Sequence, residues 1–167
     1  MAVVLTANFA TAQDMKFGIR GGLDMVSVKY TDIVENPFTG APIGTVSVTG
    51  STTGFYFGGF ADISIADKIV FQPGLNYHTA SESGIKLDFL SLPAIFKYQV
   101  ADKFNILAGP TLFYSMDSDS EDKTTFNLDL GASYDISDNF FIDPRYSIGL
   151  TGDTKVNHFL IGVGYKF

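Results

Sequence analysis

The chain has 167 residues, a formal net charge of −7, no cysteine and no tryptophan, and it carries 16 phenylalanines, 8 tyrosines and 17 glycines. The acidic balance excludes nucleic acid as a partner, since phosphate binding needs a basic face. Absent cysteine excludes disulfides, thiol nucleophiles and cysteine-ligated metals, and no apolar run approaches the roughly eighteen residues of a membrane helix.

Residues 2–12, AVVLTANFATA, form a short apolar run ending in Ala10-Thr11-Ala12, the small-x-small pattern of a signal-peptide cleavage site. They are read as a signal-peptide remnant over 1–12, without its basic leader, with Gln13 opening a barrel domain over 13–167. The alternative is an extended N-terminal segment.

The first strand spans residues 15–25. Met15, Phe17, Ile19, Leu23 and Met25 share one side, and Lys16, Arg20 and Asp24 share the other. The apolar phase shifts near Val26, bringing in Val28 and Tyr30, which predicts a bulge or a strand rising above the membrane. Residues 31–52 hold Pro37, Gly40, Pro42, Gly44 and Gly50 among serines and threonines and read as the longest loop.

Strand two, residues 54–65, sets Phe55, Phe57, Ala61 and Ile63 against Tyr56, Gly58, Asp62 and Ser64. After a turn at Ala66-Asp67, strand three, residues 69–79, sets Ile69, Phe71, Pro73, Leu75 and Tyr77 against Gln72, Gly74, Asn76 and His78. Pro73 predicts a local bulge, because a closed barrel has no free edge for a missing donor. Strand four, residues 85–98, carries Leu90, Leu92, Ala94, Phe96 and Tyr98 opposite Ser91, Pro93 and Lys97. Its early apolar residues, Ile85, Leu87 and Phe89, have the opposite phase and predict an irregularity near Phe89.

Strand five, residues 104–116, alternates Phe104, Ile106, Ala108, Leu112 and Tyr114 with Asn105, Gly109, Thr111 and Ser115. The acidic stretch with Asp117, Asp119, Glu121 and Asp122 has the oxygens for calcium but neither the glycine nor the loop form, and reads as a solvated loop. Strand six, residues 125–136, sets Phe126, Leu128, Leu130, Ala132 and Tyr134 against Asn127, Asp129, Ser133 and Asp135. Strand seven, residues 140–150, sets Phe140, Ile142, Tyr146 and Ile148 against Asp143, Arg145 and Ser147. The last strand, VNHFLIGVGYKF, puts Phe159, Ile161, Val163, Tyr165 and Phe167 on one side and His158, Leu160, Gly162, Gly164 and Lys166 on the other.

Long connections alternate with the short turns near residues 66, 102 and 138, and each strand has about the ten residues of a tilted membrane span. The pattern predicts an all-β fold, an eight-stranded antiparallel up-and-down transmembrane β-barrel with apolar side chains facing lipid. Several segments resemble a known family in order and spacing. LSLPAIFKY, LAGPTLFY, DPRYSIGLTG and LIGVGYKF are similar to the conserved strands of the PorT-like outer-membrane β-barrel proteins of Bacteroidota. The resemblance implies the fold and a bacterial outer-membrane location. Ser91 departs from the family pattern, which often has an acidic residue there, and a role in protein secretion is not carried over.

An eight-stranded barrel is just wide enough for its own side chains. Its predicted interior holds Lys16, Arg20, Lys97, Arg145 and Lys166 with Asp24, Asp62, Asp129, Asp135 and Asp143, matched charges that would neutralise one another. Arg145 with Asp143 is the expected central pair and Lys97 its expected cross-barrel company; a proton or ion path along these groups is the sharper alternative. His78 and His158 are expected inside near the outer rim, where Ser81 or Ser147 would have to join them in any hydrolase constellation. No spacing supports that, so the reading is non-enzymatic, without cofactor, metal or catalytic residues.

The preferred function is a structural or loop-mediated binding protein of the outer membrane, its lumen plugged by charge. Termini are expected in the periplasm, with lipid around the barrel. An extracellular partner is expected at residues 31–52, and the barrel-assembly machinery at the strand ending in Phe167. The alternatives are a narrow pore of the porin kind, a soluble lipocalin-like carrier, which needs an apolar lumen, and an outer-membrane lipid enzyme.

Overall fold

The computed structural model describes residues 15–82, 85–116, 123–151 and 154–167. The expected signal-peptide remnant and the acidic run at 117–122 lie outside them. Eight strands run in chain order: β1 (Met15–Glu35), β2 (Pro42–Ala66), β3 (Ile69–Glu82), β4 (Ile85–Ala101), β5 (Phe104–Ser115), β6 (Thr124–Asp135), β7 (Phe140–Gly149) and β8 (Thr154–Lys166). Each pairs antiparallel with its sequence neighbours, and β1 pairs with β8, so the sheet closes into a barrel. Among the described residues no helix is long and apolar enough to cross a membrane; a closed barrel crosses with strands instead.

The period-two pattern decides which way each side chain points. Phe17, Ile19, Phe57, Leu92, Ile106, Leu130 and Val163 lie on the exposed outer face, while Arg20, Lys97, Asp129, Asp143 and Arg145 are buried inside. A soluble barrel would invert this arrangement, because water does not tolerate so continuous an apolar surface. Outward aromatics cluster near the strand ends. Tyr98, Phe104, Tyr134 and Phe140 lie toward the short turns, and Phe55, Tyr114 and Phe126 toward the other end. Those are the positions of interfacial girdles.

Four local expectations are corrected. The register of β1 with β2 runs unbroken from Met15↔Ile63 to Val34↔Gly44, so of the two readings at Val26 there is no bulge and the strand instead continues upward. Val26 simply points inward, 1 % exposed, and packs in the lumen. The β3–β4 register is the same on both sides of Pro73, with Pro73↔Ala94 and Asn76↔Ser91, so the ladder absorbs the missing donor without an extra residue. It is also unbroken through His78↔Phe89 and Ala80↔Leu87, so no irregularity occurs at Phe89, whose ring faces the lumen against His158.

The fourth correction is the largest. Most of residues 31–52 are strand, with the connection reduced to residues 36–41. β1 leaves β8 after Tyr30↔Thr154, and β2 meets β3 only from Gly54↔Ala80. Between those limits the strand pairing found among the described residues is of β1 with β2, as a ribbon rising beyond the barrel rim. The five residues of β1 past Tyr30 span about 17 Å at the usual rise per strand residue.

At the β1–β8 seam, Gly22 faces Gly162. A Cβ on Gly22 would fall on the Ile161 carbonyl oxygen, and one on Gly162 would fall on the Tyr56 phenol oxygen. The glycines let the seam close tightly and leave room for Tyr56 to cross the lumen. Gly22→Ala is expected to destabilise the barrel by about 1–3 kcal/mol through overpacking against backbone that cannot yield. A lowered urea midpoint in detergent, against an unchanged Gly50→Ala control in the ribbon, checks this.

Candidate functional site: the charged lumen

The inward parity of all eight strands converges on one axis, so residues far apart in sequence meet in stacked layers. At the end with the short turns, Lys166 Nζ lies 2.6 Å from Asp135 Oδ1, and Asn105 Nδ2 donates to the Ser133 hydroxyl at 3.2 Å and to Asp135 at 3.4 Å. Phe141 sits behind this layer, its ring 5.4 Å from Lys166 Nζ and 5.1 Å from Lys97 Nζ. Cations over an aromatic face keep part of their electrostatic stabilisation when water is excluded.

The middle layer holds the arginines. Arg145 Nη2 lies 3.3 Å from Asp143 Oδ2 and Arg145 Nη1 3.8 Å from Asp129 Oδ2, as Arg20 Nη1 approaches Asp143 Oδ2 at 3.7 Å. Tyr56 Oη donates to the other oxygen of Asp143 at 3.4 Å. Arg20 also donates to Gln72 Oε1 and Asn76 Oδ1, both at 3.0 Å, and Gln72 passes the chain on to Asp62 at 2.6 Å. Two arginines and two aspartates share one buried layer, neutral as a whole although no pair is isolated.

Arg145 and Asp143 are thus paired as the sequence suggests, but Lys97 is not their company. Its ammonium lies 3.2 Å from Asp62 Oδ2. Side-chain parity is readable from sequence, whereas height along the barrel depends on strand stagger and is not. Lys16 also departs from expectation. It stands opposite Asp62 in the register but is exposed, outside the buried network.

Toward the ribbon, Asp24 forms a third layer. His78 Nδ1 lies 2.8 Å from Asp24 Oδ2 and His158 Nδ1 3.0 Å from the same oxygen. Both imidazoles are 1 % exposed, so they are interior groups and not rim residues. Their planes are set by stacking, His158 on Phe113 at 4.2 Å and His78 on Tyr56 at 5.4 Å. His78 Nε2 meets the Ser91 hydroxyl at 2.8 Å, so its serine partner is neither Ser81 nor Ser147.

Ser91, His78 and Asp24 therefore have the hydrogen-bond order of a nucleophile, base and orienting acid. Ser91 Oγ is also held by Asn76 Nδ2 at 3.1 Å and is buried, so no acyl group can reach it. The set is a relay joining the histidines to Arg20. A groove lined by Ile19, Gly21, Phe57, Phe140, Val163 and Tyr165 lies on the outward, apolar face, where it suits lipid chains.

Parity, which places Leu160 inside, could also have found the inward apolar residues Val26, Phe60, Ile95, Leu107, Phe113 and Phe141, which share the polar side of their strands. The Asp24–His78–His158 convergence had no local signal, since its members come from β1, β3 and β8.

Among solved structures, the chain is similar to the attachment invasion locus protein Ail of Yersinia pestis, at 18 % identity and a TM-score of 0.57, covering 91 % of this chain and 98 % of that one. Ail in complex with the heparin analogue sucrose octasulfate gives 18 % identity and 0.58, covering 92 % and 99 %. Neisserial surface protein A gives 17 % identity and 0.52, covering 90 % and 97 %. These likenesses show the fold, a closed eight-stranded barrel. No curated protein sequence matches the chain. The model of the outer membrane protein beta-barrel domain matches residues 1–167. The charged interior and apolar exterior agree with that match, and the chain belongs to the outer membrane protein β-barrel family, whose place is the bacterial outer membrane.

Proposed function

We propose that this barrel is an anchor for its β1–β2 ribbon, which binds a protein partner at the cell surface, while the lumen stays closed by its own side chains. The observation that carries this reading is the ribbon itself, which continues both strands past Tyr30↔Thr154 and Gly54↔Ala80 and so carries two strand edges beyond the rim. The edge of a strand at the rim of a sheet offers main-chain donors and acceptors to an incoming strand. Phe38 at its tip is 95 % exposed, and Ile43 and Val46 are exposed along β2, so apolar anchors accompany the edge.

Residues 31–52 contain Asp32 and Glu35 but no lysine, arginine or histidine. That charge argues against a sulfated polysaccharide, the class of the heparin analogue held by Ail, and for a protein strand. The orientation that suits this role places the ribbon outside the cell and the termini with the short turns in the periplasm. The aromatic group of Phe140, Tyr165 and Phe167 near the end of β8 would then face the barrel-assembly machinery. The PorT-like resemblance fits the same placement.

The test replaces residues 31–47 by Asn-Gly, a two-residue turn between the register partners Tyr30 and Val48. The shortened barrel is expected to keep its heat-dependent gel migration while cells displaying it lose adhesion to protein-coated surfaces that the full chain supports. Neither form should give discrete conductance steps in planar bilayers. Equal adhesion by both forms would remove the ribbon from the function, and stepwise conductance would favour a pore.

A further inference from the structure

We propose that Asp24, His78 and His158 form a site for one divalent transition-metal ion of the zinc class inside the barrel. Among the described residues, these three offer ligand atoms that all lie within 4.8 Å of one another. Both imidazoles present Nδ1 to the same carboxylate, His78 at 2.8 Å and His158 at 3.0 Å from Oδ2, with Asp24 Oδ1 a further 3.1 Å from His158. A tetrahedral ion with bonds of about 2.0–2.1 Å needs donors roughly 3.3 Å apart, so small shifts of the side chains admit it. Two imidazoles and one carboxylate suit zinc and its neighbours, whereas magnesium and calcium prefer oxygen alone.

Charge points the same way. The other buried aspartates have permanent cations beside them: Asp62 has Lys97, Asp129 has Arg145, and Asp143 has Arg20 and Arg145. Among the described residues, Asp24 is paired with the two histidines, whose charge is not permanent. A divalent ion would supply this layer with the permanent positive charge that the other buried aspartates already have.

The surroundings fit ligation through Nδ1. An imidazole bound through Nδ1 carries its proton on Nε2, and His78 Nε2 already faces the Ser91 hydroxyl at 2.8 Å. Ser91 can donate to that nitrogen without metal and accept from it with metal, because its hydroxyl rotates. It keeps a second lone pair for Asn76 Nδ2. Such outer hydrogen bonds, with stacking on Phe113 and Tyr56, hold ligand rings in position. The donors come from β1, β3 and β8, so the ion would join the first strand to the last across the closing seam.

Because the imidazoles are buried, the metal is supplied while the barrel forms. The untagged chain is folded into detergent with zinc chloride, freed of loose ion by gel filtration, and examined for zinc content and imidazole resonances. One zinc per barrel is expected, with both imidazole spin systems shifted from their metal-free positions. The chain has two histidines and no cysteine, so those resonances report this site alone. His158→Gln is expected to weaken retention at least tenfold while keeping heat-dependent migration. Wild-type protein without retained zinc, zinc retained with unmoved imidazole signals, or equal retention by folded His158→Gln would each overturn the site. If His158→Gln does not fold, the wild-type resonances decide.

Discussion

Replacing Arg145 with alanine is expected to destabilise the barrel by about 3–5 kcal/mol, the cost of leaving buried charge without its partner. Arg145 is 2 % exposed and lies between Asp129 and Asp143, so truncation uncovers two carboxylates together. Arg20 remains near Asp143 at 3.7 Å and moderates the loss there, but the pairs found for Asp129 include no second cation. Urea unfolding in detergent measures the effect, and the unheated protein should migrate as a smaller compact fraction. Arg145→Ala combined with Asp129→Asn should recover part of the loss, since the double change removes a charge of each sign. A single variant as stable as wild type would show that water reaches this layer and that the lumen is not dry.

The second large effect belongs to the opposite face. Leu130 lies mid-strand in β6 and points outward, 44 % exposed to what is lipid in the membrane. Leu130→Arg is expected to cost about 2–4 kcal/mol, the range for a cation near the bilayer midplane, whereas Phe126→Arg near the strand end should cost about 0–1 kcal/mol. Folding into vesicles, read by urea titration, distinguishes the two. Equal costs would mean that the apolar band does not face hydrocarbon.

These substitutions test two halves of one pattern, and the pattern explains what the sequence reveals. Strand number, closure and the facing of Phe17, Phe57, Leu92, Lys97 and Arg145 all follow from period two and alternating connection lengths. Within a strand, position outranks residue type. Val26 and Phe89 are apolar but inward, so an apolar side chain on the polar parity marks a contact in the lumen and not a break in register. The ribbon was hidden by its prolines and glycines, although the stretch TVSVT at 45–49 alternates as a strand should. Which charges meet was not legible at all. Lys97 finding Asp62, and Asp24 finding two histidines, depend on the stagger of strands around the barrel.

The pairing of β1 with β8, from Gly18↔Lys166 to Tyr30↔Thr154, joins opposite ends of the chain. Contacts of such long sequence separation give slow folding, because loop-closure entropy is lost before the final ladder compensates for it. During synthesis the first strand emerges long before its mate and carries a bare edge meanwhile. That edge is a target for wrong pairing between nascent chains. The molecule thus depends on being kept unfolded until its thirteen-residue last strand is delivered. Removing that strand would leave not a smaller barrel but an open sheet with two sticky borders.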